Sequence, residues 1–180
     1  MIFKSLAAGF LAVALALPAS ASPQAPQGSY TIAMSDSVTA KAVKVLTSGN
    51  GTCRQLPPAY QIDCYRQFYR RAASELSRYP DYKDGRKALK MVESTLNAAL
   101  KQYRDRSAAS LRSGGKTFKA IKPEGLSPAA EAFRRARADA VTILLRSQGP
   151  IKEHYERIAT VVDSAKVIIR SGLMTLRRFI

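Results

Sequence analysis

One histidine and two cysteines leave this 180-residue chain short of the groups on which much catalysis and metal binding depend. Hydrolytic chemistry needs a nucleophile with a base, a metal, or paired carboxylates, and His154 is the sole imidazole available to any of them. On a helical wheel it falls at the edge of the apolar arc shared by Val161 and Ala165, where an ordinary partly buried histidine also falls, so a structural role is expected. Zinc sets built from two cysteines and one histidine are incomplete, and the E-x-x-H motifs of a di-iron bundle are missing. No metal, no cofactor and no catalytic residue is expected.

Acidic residues are scarce too, 13 against 29 lysines and arginines. Several of them have basic neighbours at helical spacing, Glu75 with Arg71 and both Glu131 and Asp139 with Arg135, which is the pattern of a solvated helix face rather than an acid–base pair. Gly115-Lys116-Thr117 resembles the end of a phosphate loop only superficially, because Ser110 stands where the first glycine belongs and a helix is expected ahead of it instead of a strand. Asn50-Gly51-Thr52 fits the N-glycosylation acceptor, a pattern too common by chance to carry an assignment.

Long apolar runs are confined to the first residues. Lys4 gives a positive start, Leu6 to Leu17 is uninterrupted by charge, and Ala19-Ser20-Ala21 offers the small side chains that a signal peptidase requires. About twelve apolar residues fall short of the roughly 20 that span a bilayer, so residues 1–21 read as a cleaved secretory signal peptide, and a periplasmic or secreted product is expected. Residues 22–33 read as a flexible Pro, Gln and Gly-rich leader, and 34–180 as one helical domain. Loss of Lys4 with the leader takes the formal charge from +16 to +15.

The remaining thiols, Cys53 and Cys64, are expected to pair in an oxidising compartment. The loop between them turns at Pro57-Pro58, and closing so short a loop is worth roughly 3 kcal/mol on the chain-entropy account. Their placement ahead of a helix is similar to cysteine-bearing helical domains of the lysozyme-inhibitor kind. An inhibitor of that kind is expected to be acidic, since its target is basic; this chain departs from that, and it holds no motif that names a family.

Helical periodicity organises the rest. Met34, Val38, Ala42 and Val45 mark a short first helix stopping at Ser48-Gly-Asn-Gly51; Ile62, Tyr65, Tyr69, Ala72, Leu76 and Tyr79 mark a second, ended by Pro80. Leu89, Val92, Leu96, Leu100 and Tyr103 carry a third helix toward Leu111, closed by Ser113-Gly-Gly115. A connection over 114–127 follows. Ser127-Pro128 reads as the start of a fourth helix, with serine as cap, and Pro150 as the start of a fifth running through Ile158, Val162, Ile169 and Leu173, with Glu153 and Arg157 as an i,i+4 pair. No segment of comparable length alternates with period two. The fold expected is all-α: an up-and-down antiparallel bundle of four main helices plus a short N-terminal one, with one disulfide.

The charge excess points to anionic partners. Candidate anion-binding arginines are Arg66, Arg70 and Arg71 on the second helix, Arg134, Arg135 and Arg137 on the fourth, and Arg177 and Arg178 near the end. Arg137 and Lys166 fall on or beside apolar stripes, either as snorkelling cations or as linings of a ligand cavity. The basic, apolar tail from Leu173 is a candidate for peripheral membrane contact. Nucleic acid is a poor fit, since no recognition motif is present. The expected function is therefore a non-enzymatic exported protein that binds an anionic envelope partner, whether a lipid head group, a cell-wall polymer or an acidic protein. A helical carrier of a small apolar ligand, or an enzyme of unrecognised type, are the alternatives.

Overall fold

The computed structural model describes residues 28–165, with side chains from Asp36 onward. The signal segment 1–21, Lys166, Arg177, Arg178 and the apolar tail lie outside the described residues. Within them the protein is mostly helical: α1 (Gly28–Arg54), α2 (Pro58–Glu75), α3 (Lys83–Tyr103), α4 (Pro123–Leu145) and α5 (Lys152–Ser164), with 3-10 turns at Pro80–Tyr82 and Gly149–Ile151. Each helix packs on the next in sequence, and α5 returns onto α1, closing a ring.

α1 is not short. It begins inside the expected leader and passes straight through Ser48-Gly-Asn-Gly51, against the turn reading of that tetrapeptide. Tertiary contacts explain the override. A Cβ at Gly49 would stand 2.6 Å from Phe68 Cγ, so glycine is what lets α1 lie against α2 at that point. One residue on, Asn50 Nδ2 donates to the Val161 carbonyl at 3.2 Å and to Ser164 Oγ at 3.0 Å, spending on α5 the nitrogen that a glycan would modify. Thr39 meets His154 and Asn50 meets Ser164, so α1 and α5 run side by side in the same direction.

Between α1 and α2 the expected disulfide is present, Cys53 to Cys64 with a Cα separation of 5.6 Å. Pro58 opens α2 at a position where its missing N–H costs no helical bond. The stripe Ile62, Tyr65, Tyr69, Ala72 and Leu76 is buried as its spacing required.

The third helix stops at Tyr103, well before Leu111. Residues 111–113 and 116–118 instead form a β-hairpin, β1 (Leu111–Ser113) and β2 (Lys116–Phe118), in the register Leu111 to Phe118 and Ser113 to Lys116. Gly114 and Gly115 both have positive φ, 54° and 71°, as a two-residue type I′ turn demands. Phe118 plugs the core, while Arg104 bridges to Ile121 and the Asp105 amide bonds the Ala120 carbonyl at 3.0 Å, so the whole 104–121 segment folds back on itself.

α4 starts at Pro123, five residues before the expected Ser127-Pro128 signal, and Pro128 lies inside it. The Lys122 amide donates to the Tyr103 carbonyl, the Ile121 amide donates to the Ala59 carbonyl, and the face of Gly125 is filled by the Tyr103 side chain. These contacts fix the helix start from outside it. So early in the helix, Pro128 forfeits one backbone bond and the chain tolerates it. At the other end of the ring, Arg157 pairs not with Glu153 but with Asp36 of α1, at 2.7 Å.

Candidate anion-binding surfaces

The β-hairpin lies on the outer face of the first half of α2, and one buried acid holds it there. Asp63 has 0 % exposure; its Oδ1 accepts from Arg66 Nε at 2.8 Å and pairs with Arg66 Nη2 at 2.7 Å, and its Oδ2 accepts from the Lys119 amide at 2.8 Å and from Gln67 Nε2 at 3.3 Å. Gln67 Nε2 also reaches the Thr117 carbonyl at 2.8 Å. Burying a carboxylate is tolerable only with such pairing. Arg66, with a side chain 14 % exposed, is therefore consumed in holding the hairpin and is not a free anion ligand.

Its helical neighbours are in the opposite situation. Arg70 and Arg71 sit one turn beyond Gln67, on the same outer side, and both are exposed. The hairpin brings two more cations alongside α2: the exposed Lys119, whose amide is held at Asp63, and Lys116, whose ammonium stands 5.5 Å from the centroid of the Phe68 ring. Among the described residues no carboxylate lies within ion-pair distance of these four, and the Arg71–Glu75 pair expected from spacing does not form. Arg70, Arg71, Lys116 and Lys119 thus make a basic patch along α2 and the hairpin, and Asp63, which anchors the hairpin, is already neutralised by Arg66. Sequence reasoning found the arginines and missed the lysines, which lie some 45 residues away in the chain. The signal for them is Gly114-Gly115, which reads locally as a helix stop and forms the hairpin turn.

The fourth-helix cluster does not hold together. Arg134 forks onto Glu131 through Nε and Nη2, and Arg135 Nε lies 3.9 Å from the same carboxylate. Hydrogen bonding from Arg134 holds the Glu131 carboxyl below its ordinary range. Arg137 points the other way. It is 4 % exposed, its guanidinium carbon lies 5.1 Å from the Phe133 ring centroid, and Nη1 donates to the Asp163 carbonyl at 3.2 Å. Burial pushes its pKa down, with Tyr69 and Asp163 partly opposing. Its Nε–H and the hydroxyl of Tyr65 are both buried with no hydrogen-bond partner, at a cost of about 1–3 kcal/mol for each such group.

A second polar cluster joins α1, the Pro80–Tyr82 turn and α5. Thr39 Oγ1 lies 2.6 Å from the Tyr82 hydroxyl and 3.0 Å from His154 Nδ1, while Asp36 Oδ1 is 3.8 Å from that same nitrogen. Hydroxyl, imidazole and carboxylate are the parts of a catalytic triad, but a triad places the nucleophile and the acid on opposite ring nitrogens, and here both lie at Nδ1. Thr39 is also fully enclosed, with no face open to a substrate. The cluster suits the structural role expected of His154, tying α5 to α1.

No protein-family model, no curated protein and no solved structure matches this chain. Among the described residues no group of three or more His, Cys, Asp or Glu is placed to hold a metal ion, and no helix is long and apolar enough to cross a membrane.

Proposed function

We propose that this protein is a non-enzymatic, exported helical protein that binds an anionic envelope surface or polymer through the patch formed by α2 and the hairpin. The carrying observation is that Arg70, Arg71, Lys116 and Lys119 come from two parts of the chain that pack together, with no carboxylate among the described residues within ion-pair distance of any of them. Arginine forks suit phosphate and carboxylate groups, and lysines add point charge. Export rests on the 1–21 signal pattern and is supported by the disulfide. The product recovered from its native compartment should begin at Ser22 by intact mass; a mass that includes Met1 would reject the export reading. For the ring of helices we favour an up-and-down order, supported by the short connections and by α1 and α5, first and last of an alternating series, running the same way.

Retention on heparin or on anionic vesicles tests the binding reading. At about 1 kcal/mol per basic residue near an anionic surface, the quadruple substitution R70A/R71A/K116A/K119A weakens low-salt binding by on the order of 10²–10³-fold. Substituting Arg134 and Arg135, whose charge Glu131 already offsets in part, has a smaller effect. Wild-type retention falls steeply with added salt. A quadruple variant that elutes with the wild type, or retention indifferent to salt, overturns the proposal.

A further inference from the structure

We infer that the outward face of α3 is a second binding surface, separate from the α2–hairpin patch, and that its ligand is a linear polyanion lying along the helix axis. Lys83, Arg86, Lys87 and Lys90 are all exposed, and the helical repeat puts them on one face, which Ser94, Asn97 and Ala98 carry on to the exposed Lys101. The buried stripe of Leu89, Val92 and Leu96 lies on the opposite side of the helix. The two acids of α3 stand aside from the basic face. Asp84 lies toward α5, close enough for its charge to act on the Tyr155 hydroxyl, and Glu93 is half-buried on the other flank. Among the described residues no carboxylate comes within ion-pair distance of any of these lysines or of Arg86.

This arrangement works against the fold. Lys83 with Arg86 and Lys87 with Lys90 are like-charged pairs three residues apart, and Lys83 with Lys87 and Arg86 with Lys90 are four apart; side chains at those spacings are neighbours on a helix and repel. The helix dipole does not ask for them either, since it prefers cations in the last turn and these stand in the first ones. A face that served solubility alone would alternate its signs, as Lys152 and Glu156 do on α5. A bound polyanion removes the repulsion. The shape of the strip selects the kind of polyanion: Lys101 lies about 27 Å along the axis from Lys83, and the strip is one helix wide. It carries no large apolar side chain, and among the described residues the one exposed large hydrophobic is Leu145, on α4. A helix that seeks a bilayer sets apolar side chains beside its cations, whereas a polymer of repeated charge needs only the row of cations.

The test is calorimetric titration of the full chain at low salt with long-chain polyphosphate, with pyrophosphate and with phosphatidylglycerol vesicles. K83A/R86A/K87A/K90A is compared with R112A/R135A/R146A/K152A, which removes the same charge from scattered exposed positions. Polyphosphate should bind the wild type, and pyrophosphate at equal phosphate concentration far more weakly. The α3 variant should lose roughly 10-fold or more in polyphosphate affinity beyond the scattered variant, and its plot of log affinity against log salt should be shallower than that of the wild type by about 3. Without ligand it should melt at or above the wild type, because alanine suits a helix and the repulsion is gone. Introduced into R70A/R71A/K116A/K119A, the same substitutions should weaken binding further, a result that stands whether or not the α2–hairpin patch binds anything. The inference fails if polyphosphate does not bind, if pyrophosphate binds as tightly, or if the scattered variant loses as much as the α3 variant. It also fails if vesicles rather than polyphosphate depend on these four residues, if the combined variant shows no further loss, or if the ligand-free α3 variant is destabilised, since the side chains would then be holding the helix in place.

Discussion

Asp63→Ala should lower the unfolding free energy by about 3–5 kcal/mol, the range for breaking a buried ion pair from one side. The carboxylate serves four donors at once, and the substitution leaves Arg66 only 14 % exposed with no counter-charge. It also cuts the tie between α2 and the Lys119 amide, so the loss should be spatially selective. Amide exchange at Lys119 and through 111–118 should accelerate more than exchange in the centre of α3. Asp63→Asn keeps an acceptor for the Lys119 amide and should lose less. A double-mutant cycle with Arg66→Ala should show strong coupling, the two losses together falling short of their sum. Urea unfolding followed by circular dichroism measures all of these; an Asp63→Ala loss under about 1 kcal/mol would mean that something else holds the hairpin. Because the patch of Arg70, Arg71, Lys116 and Lys119 exists only while the hairpin is docked, the same variant should also bind anionic surfaces more weakly.

Replacing both half-cystines by alanine should cost about 3 kcal/mol, as expected for a short closed loop. For a domain of this size that corresponds to a fall in Tm of about 6–12 °C. The helical circular-dichroism spectrum at low temperature should persist, since α1 and α2 also pack through Gly49 on Phe68, and α1 is independently bonded to α5 through Asn50. Substituting both cysteines rather than one avoids a free thiol that would confuse the measurement by exchange. Thermal melts with and without reductant on the wild type should reproduce the difference. A shift below about 2 °C would show that the unfolded chain loses little freedom through the bridge.

How far the sequence was legible depends on what kind of force sets each feature. The apolar stripe of α2 was readable because a helix that buries one face must repeat its large side chains every three to four residues, and Ile62, Tyr65, Tyr69 and Leu76 do so with no competing signal. Punctuation was less dependable. Ser48-Gly-Asn-Gly51 and Ser127-Pro128 are strong local stop and start signals, and both are overridden by contacts from elsewhere: Phe68 and α5 in the first case, Tyr103 and Ala59 in the second. Local preferences of a kcal/mol or so per residue lose to tertiary packing. The hairpin escaped notice because three-residue strands are too short to display a period of two.

For the sites the division is sharper. Composition alone set the basic excess, the shortage of histidine and the single pair that two thiols can form, because counts do not depend on how the chain packs. Which arginines are free is a matter of tertiary structure. Arg66, Arg70, Arg134 and Arg137 look alike in the sequence, yet one is locked to a buried acid, one is open to solvent, one is forked onto Glu131 and one is enclosed beside Phe133. The reason is physical: an ionic side chain takes its behaviour from the few groups within about 4 Å, and in a folded chain those groups come from distant residues.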